Sequence, residues 1–285
     1  MSATSGKRTV AATHPARERI PFQERNRRFF LATGTLWQRE MVRFFRQPSR
    51  VIGAFGSPLI FWLLIGSGLG SSFQAPGAAT DVHYLTYFFP GTLVLILLFS
   101  SIFSTISVIE DRREGFLQSV QSAPVSRGAI VLGKLLGGAV PALLQALLFC
   151  ALAPLASYKI ESLLTTLELA AALSVIALAL TGLGLMIAWP MESTQGFHSV
   201  MNLFLVPMWL LSGALFPIEG ASGWVQSLMT FNPLSYPVVL VRQILESNAA
   251  PASAISHSLA WLVTLGFAAF TFIGSWIVVN RRGRE

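Results

Sequence analysis

From Tyr84 to Gly115 the chain reads YLTYFFPGTLVLILLFSSIFSTISVIEDRREG. No charge occurs before Glu110, and then Glu110, Asp111, Arg112, Arg113 and Glu114 follow without a break. A bilayer core about 30 Å thick needs about 20 apolar residues in a helix. Tyr84–Ile109 is long enough to cross it and carries nothing ionic that would hold it in water. The sudden charged end marks where such a helix leaves the membrane.

Similar blocks recur on both sides. Spans are expected at 51–70, 84–109, 130–156, 163–189, 197–216 and 255–279. Pro141 and Pro207 fall inside two of them, which is tolerable where neighbouring helices satisfy the freed carbonyls. Composition agrees: of 285 residues 53% are hydrophobic and 12% charged, against about 25% charged in a soluble domain. Mean hydropathy is +0.61. The expected fold is an all-α integral membrane protein with six transmembrane helices. One cysteine, Cys150, excludes a disulfide framework and a Cys-rich metal site.

Charge placement gives the topology. The net charge is +7, and eleven of the twenty Lys and Arg precede Val51. With the N-terminus in the cytoplasm, the inner segments hold eighteen basic residues and the outer loops only Lys159 and Arg242. That asymmetry is the positive-inside pattern, with both termini cytoplasmic. It assigns the basic charge to a membrane surface, and no nucleic-acid partner is expected.

The segments outside the spans have their own patterns. Residues 1–34 are basic and polar and are expected to form a mostly disordered cytoplasmic arm, without a signal peptide. Residues 35–50 are expected to form an amphipathic interfacial helix. At 100° per residue Trp37, Met41, Phe44 and Phe45 share one face, and Arg39, Arg43, Arg46 and Arg50 the opposite one. Residues 110–129 read as a charged cytoplasmic loop, with Glu110, Asp111, Arg112, Arg113, Glu114, Gly115 and Phe116 as a docking element for a partner. The segment 217–251 is too apolar for a loop and too broken for a span. Trp224, Val225, Leu228 and Met229 form one short stripe, Asn232-Pro233 breaks it, and Pro237 opens a second. Two short re-entrant helices in the outer leaflet fit. Residues 280–285 are a basic cytoplasmic tail.

Three kinds of chemistry are set aside. Gly128 to Lys134 has the glycine and lysine spacing of a phosphate-binding loop, but Leu135 stands where Ser or Thr must hold magnesium. An intramembrane serine protease would need Ser212 and His257, yet the glycine two positions before the serine is missing. The middle of each expected span lacks Asp, Glu, Lys, Arg and His, which argues against a proton relay. No catalytic, cofactor or metal site is expected, and the energy source lies outside these helices.

From Trp37 onward the chain resembles the membrane subunits of type-2 ABC exporters, which include drug-efflux and polysaccharide-export permeases. Leu205, Met208, Leu211, Ser212, Ala214, Ala221, Ser222, Pro233, Leu234, Tyr236 and Arg242 stand at the positions of that family's signature, with Asn232-Pro233-Leu234-Ser235-Tyr236-Pro237 its clearest run. Glu114-Gly115 and Ala123-Pro124-Val125-Ser126 are similar to the family's loop between the second and third spans. The resemblance implies two six-helix subunits, from a second copy of the permease or a close relative, paired with two cytoplasmic ABC ATPases. ATP and magnesium would be bound by the ATPase subunit. It implies that the interfacial helix and the 110–127 loop contact that ATPase, and that the broken outer segment caps the exit. The expected location is a bacterial inner membrane, with lipid as a further partner. Arg46-Gln47-Pro48 looks like the drug-efflux branch, so the expected cargo is small and amphipathic or lipid-like. Polysaccharide export and a non-transporting membrane scaffold are the alternatives. Gly66 and Gly70, and Gly133 and Gly137, have the spacing of close helix contacts.

Overall fold

The computed structural model describes residues 22–70, 83–123, 125–159, 162–246 and 255–281. The rest of the expected arm, the end of the tail and part of the outer segment lie outside these residues. Among the described residues ten helices, besides two short 3-10 turns, follow one another: α1 (Phe22–Phe45), α2 (Pro48–Gly68), α3 (Tyr84–Arg113), α4 (Phe116–Ser122), α5 (Arg127–Cys150), α6 (Leu163–Ala188), α7 (Thr194–Ala214), α8 (Gly223–Phe231), α9 (Ser235–Leu245) and α10 (His257–Arg281). No strand occurs among the described residues. Among the described residues six helices (α2, α3, α5, α6, α7 and α10) are long and apolar enough to cross a membrane.

The decisive stretch becomes the centre of the bundle. α3 is buried along almost its whole length, packed by α2, α5 and α6. Its large side chains fill the N-terminal half, where Phe89 stacks on Phe149 at 4.8 Å and Trp62 closes the cluster. Its C-terminal half carries small hydroxyl residues, and there the helices approach closely. A methyl group at Gly138 would clash with Ser104 Oγ and meet Thr181 Cγ2 at 2.6 Å. Small residues let backbones approach where lipid supplies no hydrophobic drive between helices. α2 and α10 complete the bundle with faces that expose Ile60, Phe61, Leu64, Leu262, Phe270 and Ile273.

The helix ends sort into two groups. One end of the bundle gathers Arg50, Arg112, Arg113, Arg127 and Arg281; the opposite end carries Tyr84, Tyr158, Glu168 and His257. The first is called the basic end below.

Several boundaries differ from the sequence reading. Residues 22–34, expected as irregular arm, are helix, and α1 ends at Phe45, so Arg50 belongs to α2. Pro48 sits in the first turn of α2, where its missing N–H has no helical partner to lose. The expected 110–129 loop is mostly helix. Glu110–Arg113 are the last turn of α3, Gly115 turns the chain at φ +74°, and α4 begins at Phe116. The phosphate-loop-like stretch lies wholly inside α5, whose N-cap is Ser126. The glycine pair Gly133 and Gly137 serves a contact within the chain. Methyl groups there would meet Leu36 Cβ at 2.7 Å and Glu40 Cβ at 2.5 Å, so these glycines form the bed on which α1 lies.

Candidate functional site: a charge-locked joint and a broken span

At the basic end, α1 turns a polar face inward. Thr33, Leu36, Glu40 and Phe44 are buried at helical spacing, with Arg39 and Arg43 beside them. Asp111, fully buried, receives Arg39 Nη2 at 2.6 Å and Nη1 at 3.0 Å, Arg43 Nη1 at 2.6 Å, and the Lys134 ammonium. Lys134 also donates to Glu40 Oε1 at 2.7 Å and Ser107 Oγ at 3.3 Å. Glu110 accepts from Arg43 at 2.8 Å and from Arg50 at 3.2 Å. Four cations thus face three carboxylates, and Glu114, 3.9 Å from Arg43, balances the set. Removing one partner from such a cluster leaves a buried charge uncompensated. The network therefore ties α1, α2, α3 and α5 into one body.

This corrects the sequence expectation for both motifs. In the interfacial helix, Arg39 and Arg43 point into the protein and Phe44 is buried with them, whereas Trp37, Phe45 and Arg46 are exposed. In the charged element, Glu110 and Asp111 are held inside. Arg112 donates to the carbonyls of Met191 (2.9 Å) and Trp189, capping the end of α6. Arg113 donates from Nε to the Glu192 carbonyl at 3.1 Å and stays exposed, as does Glu114. Phe116 lies under the Arg39 guanidinium, 3.7 Å from carbon to ring centre. The sequence reading passed over Glu40 and took Lys134 as inner charge and as the lysine of a rejected phosphate-loop spacing. The available signal was Glu40 itself, an acid on the Leu36–Phe44 stripe.

At the opposite end, α7 is a broken helix. π turns at Met201–Leu205 and Leu210–Ala214 flank a short α segment at Val206–Trp209. Pro207 lacks the N–H that would continue the ladder, and Leu211 and Gly213 leave helical geometry. The carbonyls so released are taken by side chains. Asn232 Nδ2 donates to Met208 at 2.5 Å while its Oδ1 accepts the Leu234 N–H at 3.0 Å. Ser212 Oγ donates to Trp209 at 2.6 Å, and Ser235 Oγ to Leu211 at 3.4 Å and Met229 at 2.6 Å. Tyr84 donates to Leu215 at 2.7 Å. Tyr87 (2.9 Å) and Arg242 (3.0 Å) both donate to Gly213. Pro233 makes the turn between α8 and α9, Leu234 is fully buried, and Tyr236 donates to the Thr230 carbonyl at 3.1 Å. The signature residues gather around one break. Ser212 and His257 have separate partners, the ring of His257 lying 2.7 Å from Glu168 Oε1.

Signature residues thus surround a broken fifth span at one end, and a charged turn of α3 is locked to α1 at the other. The family described as ABC-2 type transporter covers residues 32–245. The chain belongs to that family. As an ABC-2 transporter membrane domain it is a multi-pass permease, and the family implies an ABC ATPase partner. Among its relatives, the putative transport permease ycf38 of Cyanophora paradoxa is 26% identical over 214 residues, 73% of this chain and 71% of its own length. Nodulation protein J of Rhizobium meliloti (strain 1021) is 27% identical over 198 residues, 68% and 73% of the two chains. The probable multidrug ABC transporter permease YbhR of Escherichia coli (strain K12) is 25% identical over 171 residues, 60% of this chain and 46% of its own.

One more face of this ABC-2 permease is polar. α7 exposes Gln195, His198, Ser199 and Asn202 toward its start. His198 lies 6.0 Å from the Phe103 ring, which stacks on Phe99 at 5.7 Å.

Proposed function

We propose that this permease is the membrane subunit of an ATP-driven exporter that moves a small amphipathic or lipid-like molecule outward, powered by a separate cytoplasmic ABC ATPase. The carrying observation is the charge-locked joint. It leaves Arg113, Glu114, Gln118 and Ser119 exposed while fixing them to α3, the central span. A push on that surface moves the core of the bundle and α1 together. Its basic end faces the cytoplasm by the positive-inside pattern, in a bacterial inner membrane. α1 lies in the headgroup layer with Phe30, Leu31, Trp37 and Phe45 toward lipid, because its apolar face is outward and its charged face is held by protein.

The cargo reading rests on the α7 face. A polar stripe on a spanning helix is costly against lipid and marks a wet or protein-lined path. Stacked phenylalanines beside it suit a molecule with both apolar and polar parts, and a second copy of the chain would complete the path.

Purification in mild detergent is expected to bring down an ATPase subunit with a phosphate-binding loop, whose hydrolysis rate depends on this chain. Glu114→Lys is expected to lower that rate severalfold at normal membrane levels. If no ATPase accompanies the chain even after cross-linking in cells, the exporter reading is wrong.

A further inference from the structure

The break in α7 contains a position built to change state. Gly213 sits at φ +80°, ψ +10°, a left-handed conformation that glycine exchanges with the right-handed one at little cost. Only Met229 Cε, at 3.8 Å, borders the place a Cβ would take, so the site is roomy as well as left-handed. Its carbonyl leaves the helical ladder and is held from two other elements. Tyr87 of α3 donates at 2.9 Å and Arg242 of α9 at 3.0 Å. The guanidinium lies over the Tyr87 ring, 4.2 Å from its centre, and also reaches the Tyr87 carbonyl at 3.4 Å. Arg242 Nε is buried with no partner among the described residues.

That orphan donor is informative. Desolvated N–H groups are rarely left unmade in a finished structural contact. Here one lies in a cationic side chain, beside a backbone carbonyl that only a left-handed glycine presents. The carbonyl is satisfied twice over while one donor of the arginine is not, as expected of an arrangement that alternates with another. Nearby, a methyl group at Gly91 would stand 2.5 Å from Ala214 Cβ, so α3 and the broken stretch are at closest approach while the carbonyl is held.

We propose that Arg242 and Tyr87 form a catch on the Gly213 carbonyl that keeps the end of the bundle opposite the basic end shut. Held, it pins α9 and the Leu210–Ala214 turn against α3. Released, Gly213 is free to return to the right-handed region, its carbonyl passes to water because Pro217 offers no N–H to continue the ladder, and α9 moves away with its arginine. What passes through the opening rests on the exporter reading; the catch does not.

The test reads opening directly. Cys150, the single cysteine, is replaced by Ala, and Ser212, which is 1% exposed, is replaced by Cys. Intact cells are treated with a charged, membrane-impermeant thiol reagent, and the rate of modification is measured. The parent is expected to react slowly. Tyr87→Phe, which removes one donor and keeps the ring, is expected to react severalfold faster. Arg242→Gln is expected to react about tenfold faster or more, since a hydrogen bond from a charged donor is stronger than a neutral one. Parental rates in both variants at parental membrane levels would overturn the catch. If Arg242→Gln fails to accumulate, Tyr87→Phe decides alone. Labelling needs neither cargo nor ATPase, so export can prove absent while the catch stands.

Discussion

The two ends of this permease solve the same problem in different ways. Each places polar groups inside an apolar bundle. At the basic end, charged side chains from α1, α2, α3 and α5 satisfy one another, and the backbones that carry them are regular helix. At the opposite end the backbone itself is broken, and side chains from α3 and α9 satisfy carbonyls. A network of mutually paired buried charges has one good arrangement, and any displacement exposes charge to low dielectric. Carbonyls at π turns have two sets of partners, the ladder or a neighbouring side chain. The first end is therefore suited to carry force and the second to change shape.

The largest expected effect breaks the rigid end. Asp111→Ala leaves Lys134, Arg39 and Arg43 facing a void and is expected to cost about 3–5 kcal/mol. It would appear as a steep loss of folded protein in membranes and a lowered thermal midpoint in detergent. Asp111→Leu combined with Lys134→Met is expected to recover part of that loss, because the pair leaves together. No recovery would mean that the arginines, not Lys134, carry the joint.

Asn232→Ala tests the other end. It removes a neutral cap from the Met208 carbonyl and the Leu234 N–H, and about 1–3 kcal/mol is expected, read as a smaller midpoint shift with normal insertion. A loss equal to that of Asp111→Ala would erase the distinction between the two ends.

The smallest effect concerns Glu246, at the end of α9. Burial pushes its carboxyl above the ordinary value, against the pull of Arg242 and of the Tyr158 hydrogen bond. The fold thus favours the neutral form. That contribution is complete below the unfolded carboxylate range and is lost as pH rises through the raised folded value. Glu246→Gln is expected to match the parent in acid and to melt about 1–2 °C higher near pH 8, on the usual scale of small stability changes. A lower midpoint at pH 8 would show that the ionised pairing with Arg242 dominates.

Much of this architecture was legible in the chain. The six spans announce themselves because a helix in hydrocarbon must be apolar over its whole length, and only helix ends tolerate charge. The two short helices around Asn232-Pro233 were also legible, since proline ends the first stripe. The orientation of α1 was not. Its aromatic and basic faces were clear, but amphipathicity does not say which face meets the protein. In water the apolar face of such a helix turns inward; here Arg39 and Arg43 turn inward instead, because Asp111 and Glu110 wait there. The Glu110–Gly115 run misled for a related reason. Five consecutive charges read as solvated loop, yet on a helix they point in different directions, and Asp111 and Glu114 have opposite fates.

By itself, then, the sequence determined the class of fold, the number of spans and the asymmetry of charge. These depend on local composition, and the bilayer reads composition segment by segment. The tertiary structure decided which charges are buried together, that Gly133 and Gly137 seat α1, and that Arg242 holds the Gly213 carbonyl. Each depends on residues distant in the chain meeting across helix interfaces, and the spacing of residues within one helix carries no information about its neighbour.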